Sequence, residues 1–213
     1  MLLCQGPTAY HGIVDIARVG AGDTVFVSGA AGGVGSLAGQ IARCRGAAKV
    51  VGSAGSEEKC RWLIEELGFD AALNYRDEDF AEQLRAEFPD GFSVFFDTVG
   101  GTQFEFAVQT AAPAARLALC GTLAQQFAAA PGASMPRFEA LTAIRKQLVI
   151  LPFSTFHTPE QIAHWVTHYA AWLAEDRFVF PQSSPAGGLR EAPQALIDLG
   201  KGKFRGNVVL ALD

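Results

Sequence analysis

The chain has 213 residues, 49% of them hydrophobic and 18% charged, with a formal net charge of −5 at pH 7. That composition suits a globular protein with one good core and room for a small second unit. With no Lys/Arg cluster beyond a couple of residues, it argues against nucleic acid or an anionic membrane as partner.

No apolar run approaches the roughly 18 residues of a spanning helix. The start M-L-L-C-Q-G-P lacks the pattern of a signal peptide, so the expected location is the cytoplasm. Cys4, Cys44, Cys60 and Cys120 lie far apart with no C-x-x-C pair, which suits free thiols.

In chain order, residues 7–18 read as a helix and Gly20 to Asp23 as a turn into a first strand, Val25–Val27. Small residues follow, then a helix over Val34–Arg45 with Leu37, Ile41 and Ala42 on one face. Lys49–Gly52 is a second strand, and Ser56 caps a helix over Glu57–Leu67. Ala72–Tyr75, Phe92–Asp97 and Arg116–Cys120 read as third to fifth strands, with helices over Glu78–Glu87 and Thr102–Ala111 between them. A loop rich in Ala, Gly and Pro, Thr122–Pro136, leads to a helix and a sixth strand, Val149–Phe153. Strands alternating with helices at this spacing predict an α/β fold, a doubly wound parallel six-stranded sheet (Rossmann) in order 3-2-1-4-5-6.

Thr158-Pro159-Glu160-Gln161 is a helix start with threonine as N-cap, proline at N1 and glutamine in the capping-box position. That helix is expected to run to about Glu175. Beyond it the chain changes character: a strand over Phe178–Phe180, a helix over Ala192–Leu199 and a strand over Asn207–Leu212, with no place in the main sheet. The expected division is a cofactor-binding domain over 1–176, leading helix included, and a short α/β C-terminal extension over 177–213.

The stretch with the most chemistry is Thr24–Ser36, T-V-F-V-S-G-A-A-G-G-V-G-S. Strand, glycine-rich turn and helix together aim unpaired backbone N–H groups and a positive helix end at a pyrophosphate. Gly32 lets backbone approach phosphate, and Gly35 lets the helix pack close to the strand. The fingerprint reads A-x-G-x-x-G, with Ala30 in the first position.

A site for NAD usually has Asp or Glu about 20 residues past the glycines, on the ribose 2′-hydroxyl. Here the second strand ends in Gly52-Ser53-Ala54-Gly55, without an acid, and Lys59 stands in the first turn of the next helix. A cation there opposes the helix dipole by about 0.3–1 kcal/mol unless an anion faces it. A 2′-phosphate would be such an anion, with Tyr75 at its flank. The expected cofactor is therefore NADP(H), the alternative being a solvated Lys59 paired with glutamates.

His164 and His168 are spaced i, i+4, but Trp165 stands where a zincin has its glutamate, and no third ligand is evident, so no metal is expected. Hydrolase elbows and P-loops are absent from the sequence. Phe92, Phe95 and Phe96 read as core residues of a central strand.

The runs G-P-T-A-Y-H-G, S-G-A-A-G-G-V-G-S, V-V-G-S-A-G-S-E-E-K-C, G-F-D-A-A-L-N-Y-R and F-D-T-V-G-G resemble the zinc-independent medium-chain dehydrogenase/reductases. The branch is that of NADPH-dependent enone reductases, of prostaglandin and 2-alkenal type. The resemblance runs from about residue 6 to the end. It implies a pyrophosphate loop at Gly32, Gly33 and Val34, and 2′-phosphate contacts at Ser53, Lys59 and Tyr75. It places Val99 against the adenosine or ribose, and Cys120, Gly121, Phe153 and Thr8 near the nicotinamide.

By the same resemblance, hydride passes from NADPH to the C=C of an α,β-unsaturated carbonyl. A quinone reductase and a non-catalytic NADPH-binding fragment or sensor are the alternatives. Where the family often has a tyrosine near the substrate carbonyl this chain has Gln126, the candidate catalytic residue. Phe204 stands where relatives have an asparagine that touches cofactor. The resemblance further implies a homodimer through the sixth strand and a β-rich N-terminal catalytic domain outside this sequence. Without that domain the tail strands are expected to be unpaired.

Overall fold

The computed structural model describes residues 4–126, 128, 130 and 135–212. Its centre is a six-stranded, wholly parallel sheet in the order β3-β2-β1-β4-β5-β6. The strands are β1 (Thr24–Val27), β2 (Lys49–Ala54), β3 (Ala71–Asn74), β4 (Val94–Asp97), β5 (Arg116–Leu119) and β6 (Val149–Pro152). The helices between them are α2 (Gly35–Cys44), α3 (Glu57–Glu65), α4 (Phe80–Glu87), α5 (Gly101–Thr110), the short α6 (Leu123–Gln126) and α7 (Ala140–Lys146), after a leading α1 (Gln5–Tyr10). This is the expected doubly wound fold, and the order follows from the alternation of short apolar strands with capped amphipathic helices.

Alternate residues of the central strands feed two cores. Val25, Val27, Val94 and Phe96 face α1, α2 and α3, while Phe26, Phe95 and Leu117 face α4 and α5. Phe92, Phe95 and Phe96 are all 0% exposed, and Phe26 stacks on Phe95 with ring centroids 5.2 Å apart. Burial on both faces is what makes such strands read as continuous apolar runs.

The leading helix differs from the single element expected over residues 7–18. After α1 the chain continues as a π-helical turn, His11–Ile16. Gly12 allows this close approach, since a Cβ there would collide with Phe96 and Phe153. α1 packs on α8 (Pro159–Ala174), where Trp165, 0% exposed, lies over Gly6. The capping box of α8 forms as expected: Gln161 N–H donates to Thr158 Oγ1 (3.3 Å), and Thr158 N–H donates to Gln161 Oε1 (2.9 Å). Ser56 likewise caps α3 by accepting from Lys59 N–H.

The tail departs from expectation. Phe178–Phe180 is not a strand. Its ladder is replaced by one side chain, because Gln40 of α2 accepts from Val179 N–H (2.7 Å) and donates to Val179 C=O (3.0 Å). Phe178 turns into an aromatic cluster with Trp165, Tyr169 and Trp172. The strands that do form are short, β7 (Gln182–Ser183) and β8 (Asn207–Val208), with α9 (Ala192–Gly200) between them. They pair with each other in parallel rather than standing unpaired. The tail also docks on the glycine turn, where Gly206 N–H donates to Ala31 C=O at 2.9 Å. Part of the loop over Thr122–Pro136 (residues 127, 129 and 131–134) falls outside the described residues.

Close packing makes two glycines behave in opposite ways. A Cβ on Gly39 of α2 would run into the Phe69 ring, whereas one on Gly20 meets nothing within 4 Å. Gly39→Ala is expected to cost about 1–3 kcal/mol by overpacking. Gly20→Ala should leave stability unchanged or raise it by about 0.4–1 kcal/mol, through the unfolded chain. Denaturant unfolding of the two variants beside the parent chain checks both.

Candidate functional site

The strand order reverses between β1 and β4, so the connections leaving their carboxyl ends diverge to opposite faces and open a crevice. A hydrogen-bond network built on Asp97 holds this point together. Asp97 Oδ1 accepts from Ser28 Oγ (2.6 Å), Val99 N–H (2.9 Å) and Gly100 N–H (2.9 Å). Thr98 closes the network by donating from N–H to Ser28 Oγ and from Oγ1 to Ser28 C=O, both at 2.9 Å. Asp97 is 2% exposed. Burial pushes its carboxyl up, and the three donors pull it back.

Beside this network runs a cleft of about 650 Å³, within the usual range for a ligand site. One wall is the glycine turn. The backbone of α2 passes so close to β1's exit that a Cβ on Gly35 would sit 2.5 Å from Gly29 O. Gly32 N–H closes the turn onto Gly29 C=O, and Ser36 N–H returns to Gly32 C=O. The N–H groups of Val34 and Gly35 find no acceptor among the described residues, and α2 has no side-chain cap. Unfilled N–H groups at a helix start, with no side chain in the way, form a cradle for an anion.

At the β2–β3 end of the cleft stand Lys59, Tyr75 and Arg76. Lys59 Nζ donates to Gly202 C=O at 2.6 Å, and Arg76 lies 5.7 Å from the centre of the Tyr75 ring. Among the described residues neither cation has a carboxylate partner within ion-pair distance. Burial, then the repulsion of Arg76 and, more weakly, of Arg205, hold the Lys59 ammonium below its ordinary value, against the opposing pull of Glu58. An anion placed between Lys59 and Arg76 would relieve that repulsion. Arg205 from the tail faces Glu58 at 4.0 Å and lies over Trp62.

The cleft thus brings together Gly32, Gly33, Lys59, Tyr75 and Val99 of the sequence expectations, and Phe204 lines it as well. Ser53 stands apart. It is 0% exposed, with its hydroxyl donating to Gln103 Oε1 (2.5 Å) and accepting from Gly29 N–H (3.1 Å). It therefore buttresses the glycine turn from behind the cleft wall.

Val34 sits at the start of α2, outside the cleft lining. Thr8, Cys120, Gly121 and Phe153 gather instead around the ends of β4, β5 and β6. Thr8 bonds His157, Gly121 N–H donates to Asp97 C=O, and Phe153 packs on Phe96 and His11. Burial, then the charge of Asp97, push the Cys120 thiol up to about 12, so it is protonated at neutral pH. Gln126 is exposed at the end of α6 and does not line the cleft.

Sequence reasoning missed Arg76, Arg205 and the bracing role of Ser28 and Asp97. The signal for Arg76 was at hand, because it directly follows Tyr75. Arg205 comes near Lys59, Glu58 and Trp62 only through the fold. His168 Nδ1 faces Tyr10 Oη (3.0 Å) and His164 C=O (2.9 Å), so the His168 ring is engaged in helix packing, while His164 is exposed. Among the described residues no group of three or more His, Cys, Asp or Glu is placed to hold a metal ion. Nor, among them, is any helix long and apolar enough to cross a membrane.

Comparison with known proteins agrees with this fold. The sequence profile described as zinc-binding dehydrogenase matches residues 33–168, more than half of the chain. The NADPH-dependent curcumin reductase of Escherichia coli is 35% identical over 208 residues, covering 96% of this chain and 60% of that protein. Prostaglandin reductase 1 of Bos taurus is 35% identical over 207 residues, covering 96% and 61%. The crystal structure of CurA from Vibrio vulnificus in complex with NADPH superposes with a TM-score of 0.90 at 33% identity, over 98% of this chain and 62% of that one. The chain therefore spans about 60% of the length of the curated relatives it matches. By its sequence profile, its fold and these relatives, the chain belongs to the zinc-binding dehydrogenase family, on the enone-reductase branch of the medium-chain dehydrogenase/reductases.

Proposed function

We propose that this chain is the NADP(H)-binding part of a reductase acting on α,β-unsaturated carbonyl compounds. The observation that carries the reading is the pair of cations, Lys59 and Arg76, without carboxylate partners among the described residues, at one end of a cleft that Gly32 and Gly33 of the glycine turn also line. A dinucleotide carrying a 2′-phosphate matches that charge pattern, whereas NAD(H) would leave both cations unanswered. Relatives described as an NADPH-dependent curcumin reductase and as prostaglandin reductase 1 support the same class of reaction.

The parts divide as follows. Gly32, Gly33 and Val34 hold the pyrophosphate, the N–H groups of Val34 and Gly35 supplying donors that need no reorganisation. Lys59 and Arg76 hold the 2′-phosphate, Tyr75 flanks it, and Ser53 keeps the turn in place from behind. Val99 closes on the adenosine or ribose. The β4–β6 end, with Thr8, Cys120, Gly121 and Phe153, receives the nicotinamide. Cys120 stays neutral there and contributes shape without charge. The reduced nicotinamide supplies a hydride when bound. Gln126, exposed beyond the cleft, is the side chain assigned to donate to the developing enolate oxygen. The 177–213 extension forms one cleft wall through Gly202, Phe204 and Gly206.

The exposed outer strand β6 is assigned to a homodimer seam. Val149 of β6 is 43% exposed and Ile144 of the preceding helix α7 71%, and an open apolar sheet edge invites a second copy.

Calorimetric titration is expected to show NADPH binding tighter than NADH by about 10-fold or more, the worth of a hydrogen bond to a charged group. Lys59→Ala should remove most of that preference and Arg76→Ala part of it, with NADH affinity little changed. Equal affinity for the two cofactors in the parent chain would overturn the NADP(H) reading. Sedimentation should give a dimer for the parent and a monomer for Val149→Lys. A monomeric parent would remove the seam.

A further inference from the structure

At the β4–β6 end Thr8 bonds a histidine, His157, that the assignments above do not use. His157 lies in the segment that leaves β6 for α8. Its Nε2 is 2.8 Å from Thr8 Oγ1, and its Nδ1 is buried without a hydrogen-bond partner among the described residues. The Thr8 hydroxyl, on a residue 2% exposed, has no other partner among them. One aromatic ring lies against the imidazole, and a second backs that ring. His11 meets it edge-on at 5.8 Å between centroids, and Phe153 packs on His11 and on Phe96 of β4. His11 is itself held by Asp15 (2.8 Å) and Gln161 (3.2 Å).

Thr8 lies on the same face of α1 as Gln5. Gln5, three residues earlier on α1, reaches the glycine turn, its Cγ lying 3.6 Å from where a Cβ on Gly33 would be. Residues i and i+3 share a helix face. One turn further along the helix, a rise of about 5 Å, Thr8 meets His157, in the segment that follows β6.

The protonation of the pair follows from what surrounds it. Burial, with His11 adding to it, holds His157 below its ordinary value, so the ring is neutral at neutral pH. A neutral imidazole has one N–H. Placing it on Nδ1 would bury a donor without an acceptor, the rarer kind of orphan. The favoured tautomer has the proton on Nε2, donating to Thr8 Oγ1. The Thr8 O–H proton is then left pointing away from His157, with no acceptor of its own.

We propose that His157 is a positioning residue for the nicotinamide end of the crevice: by donating to Thr8 Oγ1 it fixes the Thr8 hydroxyl as a donor to an oxygen of the nicotinamide nucleoside. This rests on the NADP(H) reading. It differs from a merely structural contact because it acts on one half of the dinucleotide only.

The test uses that difference. The parent chain, Thr8→Val, His157→Phe and His157→Gln are titrated with NADPH and with adenosine 2′,5′-bisphosphate, which lacks the nicotinamide half. Thr8→Val and His157→Phe should each weaken NADPH about 3- to 10-fold, the worth of a neutral hydrogen bond, with the bisphosphate bound as in the parent. His157→Gln, which can place an amide N–H near the Nε2 position, should recover most of the NADPH affinity. Unchanged NADPH binding in both Thr8→Val and His157→Phe overturns the proposal. So does equal weakening of both ligands, the mark of a structural role. A parent chain that binds neither ligand overturns the dinucleotide reading and this assignment with it. A parent that binds both, with variants that bind alike, overturns this assignment alone.

Discussion

The crevice depends on one buried carboxylate. Where β1 and β4 end side by side, the chain must send one connection to each face of the sheet, and the backbone groups at that fork need partners. Asp97 supplies them by accepting from the Ser28 hydroxyl and from two successive N–H groups of its own loop. Hydrogen bonds to a charged group are worth about 1.5–3 kcal/mol each; the three here oppose the burial, which still leaves the carboxyl raised above its ordinary value. The turn from Gly29 to Gly35 and the loop from Thr98 to Gly101 are thereby held as two fixed lips. Gly35 then lets α2 start directly against β1's exit, and its first N–H groups find no acceptor among the described residues. Geometry for an anion is thus built before any anion arrives.

The tail is coupled to that geometry. Gly206 bonds Ala31 within the turn, Gly202 accepts from Lys59, and Gln40 grips Val179. These contacts turn a segment with only two-residue strands into a wall of the cleft. They also position Lys59, whose ammonium would otherwise swing on a flexible stem. A cation in the first turn of α3 works against that helix's dipole, and it stands among other cations that push it further from protonation. Such an arrangement is locally unfavourable in the chain by itself and becomes favourable beside a phosphate. Strain of this kind at a site is expected where binding is the purpose.

Much of this was legible in the sequence. The sheet order followed from short apolar strands and capped helices, and Ser56 and Thr158 marked their helices through side-chain bonds that the structure contains. The cleft residues Gly32, Gly33, Lys59 and Tyr75 were legible because phosphate chemistry demands small residues and cations at known offsets. Other features were not. Nothing local says that Gln40 substitutes for a neighbouring strand at Val179, so Phe178–Phe180 looked like β-structure. The resemblance named Ser53 as a phosphate contact, and no local pattern says that its hydroxyl bonds Gln103 and the Gly29 N–H. Arg205 and the Thr8–His157 contact join segments more than a hundred residues apart in the chain, a distance that pattern reading does not bridge.

The most direct measurement is a crystal structure of this chain grown with NADPH. The account predicts the pyrophosphate within hydrogen-bond distance of the Val34 and Gly35 N–H groups, the 2′-phosphate between Lys59 and Arg76, and the nicotinamide toward β4–β6. A dinucleotide lying elsewhere, or one whose 2′-phosphate points away from both cations, would contradict it.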